Sequence, residues 1–218
     1  MEVVVPKEYF ETPYALFASD DVVQMYCCEA NIQGDVYGKE KFFCQGSQLH
    51  VNGTASTTNK FMFANGVTDI KDSKEGIEPV ILPDYMEHIL VNMRADSECV
   101  DDIDVYNNTD INAPTLCKST TGAWCDYVNI NASLVSQGSI SLNAQGVTSG
   151  KDKPIVLASQ NGDIRIQTID FEGSGLIYAP NGTVVINVNN FNYTGTIIAK
   201  KIEIQASYYN HSLLTSYW

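Results

Sequence analysis

A repeat of about twenty residues in the C-terminal third is the feature that most restricts the fold of this 218-residue chain. Three segments align with one another, residues 155–166, 176–186 and 197–204. The alanines that mark their register, Ala158, Ala179 and Ala199, lie 21 and 20 residues apart. A period of this length matches one turn of a β-helix better than a propeller blade or a helical repeat.

Each repeat has the internal pattern of a coil made of strands. A short apolar stretch leads into a turn, such as Asn161-Gly162 or Asn181-Gly182, and apolar residues then alternate with polar ones. Alternation of period two predicts a strand with one buried face, and glycine at the corners allows the chain to turn. The pattern therefore predicts an all-β fold, a right-handed parallel β-helix (β-solenoid). A β-sandwich is the alternative that the same alternation allows.

The whole chain, residues 1–218, is predicted to form a single elongated domain. Solenoid coils are expected over residues 10–70, where the repeat is fainter, and over 126–210, with residues 211–218 as a tail or cap. Residues 71–125 break the pattern and predict an insertion. Within it, Asp84 and Glu87 match a capping box and Met86, Ile89 and Leu90 have helical spacing, which predicts a short helix near 84–93 on the side or end of the solenoid.

Charge and hydropathy exclude two classes of partner. The net charge of −13 would repel a phosphate backbone, so we expect no nucleic-acid partner. No run approaches the 18 or so apolar residues of a membrane span. The first residues lack the basic and apolar regions of a signal peptide, which predicts either a protein that stays inside the cell or a chain whose leader is removed.

An acidic segment within the insertion is the candidate metal site. Oxygen-bearing side chains recur at alternating positions there, which suits Ca²⁺ because this ion takes six to eight oxygen ligands. The candidate ligands are Asp101, Asp102, Asp104 and Asp110. The EF-hand pattern is absent, so a solvated acidic loop is the alternative. No motif for nucleophilic or metal-assisted catalysis occurs, and we expect a protein that is not an enzyme, with no cofactor other than this calcium ion.

Two further groups of residues have predicted roles. The aromatic C-terminal residues could stack on sugars, or could cap or pair the end of the solenoid, where strand edges are unpaired. They are Tyr208, Tyr209, Tyr217 and Trp218. The six cysteines follow no disulfide framework, and the candidates for disulfides are Cys99, Cys117 and Cys125.

The runs that begin at Asn161, Gly175 and Gly195 resemble the coils of β-solenoid surface proteins from Gram-positive anaerobes, in which a pilin-like segment often precedes the solenoid. The proline-flanked segment 77–85 resembles the interruption between their two solenoid blocks, and a more distant likeness connects the chain with bactofilins, which are polymerising β-helix scaffolds. The resemblance implies a cell-surface, pilus-associated or otherwise structural protein.

Three functions follow as hypotheses. The first is a structural or adhesive module at the cell surface, whose partners would be glycans or components of the surface or the pilus. The second is a β-helix that binds or cleaves carbohydrate, assisted by Ca²⁺ on the acidic segment. The third is a scaffold that self-associates through the solenoid ends. Resemblance places the protein outside the cell, with a cytoplasmic scaffold as the alternative.

Overall fold

The computed structural model of the protein describes residues 12–96, 98–100, 104–105, 109–119, 121–151 and 153–214. Parallel strands stack in coils and form a β-solenoid of about 8 turns, with about 19 residues in each turn. The protein is 73% strand and 4% helix. The predicted class, an all-β parallel solenoid with a short inserted helix, is therefore confirmed.

Fourteen strands and one helix make up the described part of the chain. In chain order they are β1 (Tyr14–Ala18), β2 (Val22–Gln33), β3 (Asp35–Gly38), β4 (Lys41–Ser56), β5 (Lys60–Lys74), α1 (Met86–Asp96), β6 (Glu98–Val100), β7 (Asp104–Val105), β8 (Thr109–Ile111), β9 (Thr115–Cys117), β10 (Thr121–Ile130), β11 (Leu134–Ser136), β12 (Ile140–Ser149), β13 (Ile155–Ser159) and β14 (Ile164–Ser212).

Stacked side chains fill the interior of the solenoid. Alternate residues of β14 are buried along most of its length, as a strand with one inward face requires. Phe171, Phe191 and Tyr209 form one interior ladder, with successive ring centroids 4.9 Å apart. This distance equals the spacing of hydrogen-bonded strands, so each ring lies directly over the ring of the neighbouring coil.

The coils do not stack in the order in which they occur in the chain. The stack runs from β6 through β9, β11 and β13 to the end of β14, where residues 197–199 pair with β1 and residues 202–212 pair with β2. The N-terminal coils therefore continue the rod beyond the last C-terminal coil. The two ends of the rod are β5 on one side and the β6–β8 coil on the other.

This junction between the first and last coils is joined by ordinary ladder contacts. Asn31 donates a hydrogen bond to Asn210 at 3.1 Å, and the Asp20 carboxylate lies 3.6 Å from the Lys200 ammonium group. The backbone N–H of Leu213 donates to the carbonyl of Gln33 at 2.7 Å. For Tyr208 and Tyr209, the expectation of a position at a solenoid end is wrong, because both residues pair with β2 of the next coil.

A connecting segment, here called the strap, joins the two ends of the rod. It comprises residues 75–85 and α1, and it leads from β5 at one end to β6 at the other. The strap packs on the outer surface of one side of the solenoid, here called face 1. Face 1 consists of β1, β3, β9, β11, β13 and residues 175–179 and 195–199 of β14. Both surfaces of face 1 are therefore buried, which explains why its strands are apolar at consecutive positions.

Two tyrosines that point outward from face 1 hold the strap in place. The backbone N–H of Val80 donates to the hydroxyl of Tyr37 at 3.1 Å, and the N–H of Tyr85 donates to that of Tyr178 at 3.1 Å. Tyr178 in turn donates to the Asp84 carboxylate at 3.0 Å, and the same carboxylate caps α1 by accepting from the N–H of Met86 at 2.9 Å. Burial raises the pKa of Tyr178.

We expect Tyr178→Phe to destabilise the protein by about 1–3 kcal/mol, because the buried N–H of Tyr85 and the Asp84 carboxylate each lose a partner. The measurement is the free energy of unfolding in urea. Tyr208→Phe is the control, since Tyr208 is exposed on the surface, and it should change this free energy by less than about 0.5 kcal/mol. Equal effects of the two substitutions would contradict the anchoring role.

Candidate functional site

In the part of the chain that the structure describes, the β5 end of the rod is a strand edge without a covering coil. Among the described residues, β5 pairs only with β4, from Lys41↔Lys60 to Ser56↔Lys74. Its other edge therefore presents a long row of backbone N–H and C=O groups. Such an edge can pair with a further strand, and proteins usually shorten, charge or cover it.

The inward side chains of β5 are core residues without a cover. Phe61 is in register with Phe42 and Phe63 with Cys44, and both residues of β4 are fully buried. The rings of Phe61 and Phe63 stack with centroids 5.3 Å apart, yet each ring is only half-buried. Another coil placed on β5 would bury these two rings as β5 itself buries Phe42.

Apolar side chains also point outward at this end. Met62 is 51% exposed and Val67 is 48% exposed. Two coils further into the rod, Tyr26 lies with its ring centroid 5.4 Å from that of Phe43. The ammonium group of Lys41 lies 5.6 Å from the centre of the Phe43 ring. The β5 end thus combines a free strand edge with exposed apolar side chains.

Protection of this edge is partial. The carboxylate of Glu75, the first residue of the strap, accepts a hydrogen bond from the N–H of Phe61 at 2.7 Å. Lysines are the residues that most often discourage edge pairing, and β5 carries Lys60, Lys71 and Lys74. Aspartates at 69 and 72 offset two of these charges. The strand is therefore close to neutral in a chain whose net charge is −13.

The residues of this end were not among the sequence-based candidates. Phe61 and Phe63 follow Phe42 and Cys44 by 19 residues, which assigns them to the inward face of the same repeat. That spacing was an available signal. The sequence does not show that β5 is the last coil of the stack within the described ranges, where the chain continues from β5 into the strap.

The acidic candidates lie toward the opposite end. Asp101 and Asp102 are outside the described residues, and Asp104 belongs to β7, where the backbone alone is described. Asp110 is exposed, and its carboxylate accepts a hydrogen bond from Asn129 at 2.7 Å. Among the residues that the structure describes, no three acidic, histidine or cysteine side chains form a metal-binding group. The calcium site and the carbohydrate function that depends on it stay predictions.

The aromatic candidates do not form one platform. Tyr208 is exposed, whereas Tyr209 is fully buried in the interior ladder. Tyr217 and Trp218 lie outside the described residues. A sugar-stacking surface would have to be built on Tyr208 without Tyr209, because adjacent residues of a strand point to opposite faces.

The cysteine candidates occupy different positions in the coils. Backbone register sets Cys99 beside Leu116, one residue away from Cys117. Cys117 is buried in the core. Cys125 is half-buried, and its thiol donates to the carbonyl of Tyr127 at 3.4 Å. A disulfide among the three stays a prediction.

A buried histidine lies in the last coil of β14, in the stretch that pairs with β2. His211 is fully buried, and its Nε2–H donates to the carbonyl of Gly195 at 3.1 Å. Its Nδ1 is then the acceptor for the hydroxyl of Tyr209, 2.9 Å away. Burial lowers the pKa of His211 to about 4, although the bond to Gly195 opposes this shift.

The fold defines the chain as a parallel β-solenoid, and among the described residues its β5 end has an unpaired strand edge. No protein-family model matches the chain, and neither a curated protein nor a solved structure matches it. In the described part of the chain, the single helix is too short to span a bilayer.

Proposed function

We propose that the protein is a non-enzymatic structural module that joins other solenoid ends through β5. The observation that carries the proposal is the β5 end itself, a 15-residue strand whose outer edge is unpaired among the described residues. Adding a strand to such an edge supplies main-chain hydrogen bonds, and pockets for alternate side chains supply specificity. At a cell surface or on a pilus, where resemblance places the chain, this contact would link modules into longer rods.

Burial of apolar surface is the driving force for this contact. Phe61 and Phe63 are half-buried, and covering them removes aromatic surface from water. The molecule also contains a model for the contact, because β14 pairs with β2 along ten residues although the two strands are at opposite ends of the chain. Coil-on-coil pairing of this kind therefore does not need a direct covalent connection.

Light scattering over a concentration series tests the proposal. We expect the molar mass of the wild-type protein to rise with concentration. Replacing the two outward apolar residues, Met62→Lys and Val67→Lys, should keep the protein monomeric, because two lysines must then be desolvated at the contact. Ile169→Lys is the matched control: Ile169 is 48% exposed on an inner coil, so this variant should associate like the wild type.

A wild-type protein that stays monomeric at all concentrations would overturn the proposal. So would equal association of the β5 double variant and the wild type. Circular dichroism of each variant establishes that the solenoid is folded, which is expected because the three replaced side chains point away from the core.

A further inference from the structure

We propose that the partner of the β5 end is the β5 end of a second copy, and that the two rods meet head to head about a two-fold axis. This inference rests on the proposed function and goes beyond it by naming the partner and its orientation. It predicts a closed dimer of double length in place of an open filament, because an isologous contact uses the same surface on both copies.

The length of the free edge favours this partner. β5 offers a continuous edge of 15 residues. An isologous contact pairs this edge with an edge of the same length, so a second β5 matches the first one over all 15 residues.

Strand direction favours it as well. When two copies meet head to head, their end coils run in opposite directions and β5 pairs with β5 antiparallel. Antiparallel pairs are slightly more stable per residue than parallel pairs. A head-to-tail contact would pair β5 in parallel with the coil at the other end of the rod.

The charges of β5 are self-complementary in one antiparallel register. If the axis passes between Lys71 and Asp72, Lys71 of one copy lies opposite Asp72 of the other, and Asp69 lies opposite Lys74. All four side chains therefore face a residue of opposite charge, and the symmetry doubles both pairs. Opposite charges across an antiparallel pair are stabilising, whereas like charges are not.

The same axis locates the centre of the contact on the opposite side of the coil. Each coil has three sides, and Lys71 and Asp72 lie where two of them meet. A two-fold axis that enters the coil at this corner crosses it and passes through the middle of the opposite side. Residues 60–65 form that opposite side. Met62 and Phe63 of the two copies then lie next to each other, whereas Val67 lies far from its own counterpart.

Thiol cross-linking tests this geometry in the full chain. The background carries Cys28→Ser and Cys125→Ser, because Cys28 is exposed and Cys125 is half-buried. We expect Met62→Cys in this background to form a covalent dimer with a short bismaleimide. Val67→Cys, which is similarly exposed, should not. Light scattering of the wild type should reach a plateau at the mass of a dimer, and Asp110→Lys at the other end should leave that plateau unchanged.

The outcomes separate the two proposals. A mass that grows beyond the dimer, loss of association in Asp110→Lys, or cross-linking of Val67→Cys in place of Met62→Cys would overturn the head-to-head contact and leave association through β5 intact. Failure of the wild type to associate at any concentration would overturn both. A dimer cross-linked at position 62 and insensitive to position 110 supports both.

Discussion

Replacing Gly175 by alanine is expected to destabilise the protein by more than about 4 kcal/mol, an effect at the extreme of single substitutions. Gly175 has φ of 124°, a conformation that is nearly restricted to glycine. A Cβ atom there would also overlap the backbone of Ile155 in the neighbouring coil. Relief would require the two coils to move apart, which would break the ladder on both sides.

Gly76→Ala is the matched control for Gly175→Ala. Gly76 also has a positive φ, 66°, but a Cβ atom there would meet nothing within 4 Å. Only the cost of holding alanine at a positive φ remains, so Gly76→Ala should destabilise the protein by about 1–2 kcal/mol. Thermal unfolding compares the two variants. Because 1 kcal/mol corresponds to about 2–4 °C in a domain of this size, Gly175→Ala should lower Tm by about 10 °C or more. Similar Tm values would show that coil stacking does not restrict position 175.

Acid is expected to weaken the protein through His211. Its pKa is about 4 when folded, against an ordinary value of 6.5, so between these two pH values the unfolded chain binds a proton that the folded chain does not. Stability should therefore fall as pH decreases from about 6.5 to about 4, by up to about 3 kcal/mol, and this contribution should be constant below that range.

The difference between variants isolates this contribution. His211→Gln is expected to lower stability at neutral pH, since it disturbs the bonds to Tyr209 and Gly195, but to flatten the dependence between pH 6.5 and 4. Gln205→Ser is the control, because Gln205 is exposed on the same strand and carries no titratable group, and this variant should retain the wild-type slope. The measurement is urea unfolding at a series of pH values. A wild-type slope in His211→Gln would assign the acid sensitivity to other groups.

Much of the coil architecture could be predicted from the sequence, because the inward residues repeat. Ile164, Ile166, Val184 and Ile186 were assigned to inward positions by alternation, and all four are buried. The alanine register was wrong at one position. Ala158 pairs with Tyr178 and not with Ala179, since Ile155 is in register with Gly175. Alanine occurs at different points of these two coils and so is a poor marker of equivalence.

The stacking order could not be predicted, because the ladder contacts that join coils are generic. Residues 202–212 pair with 23–33 by the same backbone bonds that join any two coils, and no local pattern distinguishes this pairing from another. One signal did bear on the strap. Ala15, Leu16 and Phe17, like Val156, Leu157 and Ala158, are apolar at consecutive positions, which indicates strands covered on both sides.

The candidate site was missed for the same reason. The unpaired edge of β5 depends on which coil lies at the end of the rod, and that is a property of the whole stack. The aromatic residues near 208 predict an end of the rod at that point, whereas Tyr209 is fully buried between coils.

The junction between the first and last coils also determines how the molecule would carry a mechanical load. Residues 12 and 214, the outermost that the structure describes, both lie close to Gly34, on the flank of the rod and away from its two ends. A pull through these residues would act first on β1 and on the last residues of β14, and both ends of the rod would stay unloaded. A tether attached at these residues would hold the rod by its side and would leave both ends accessible.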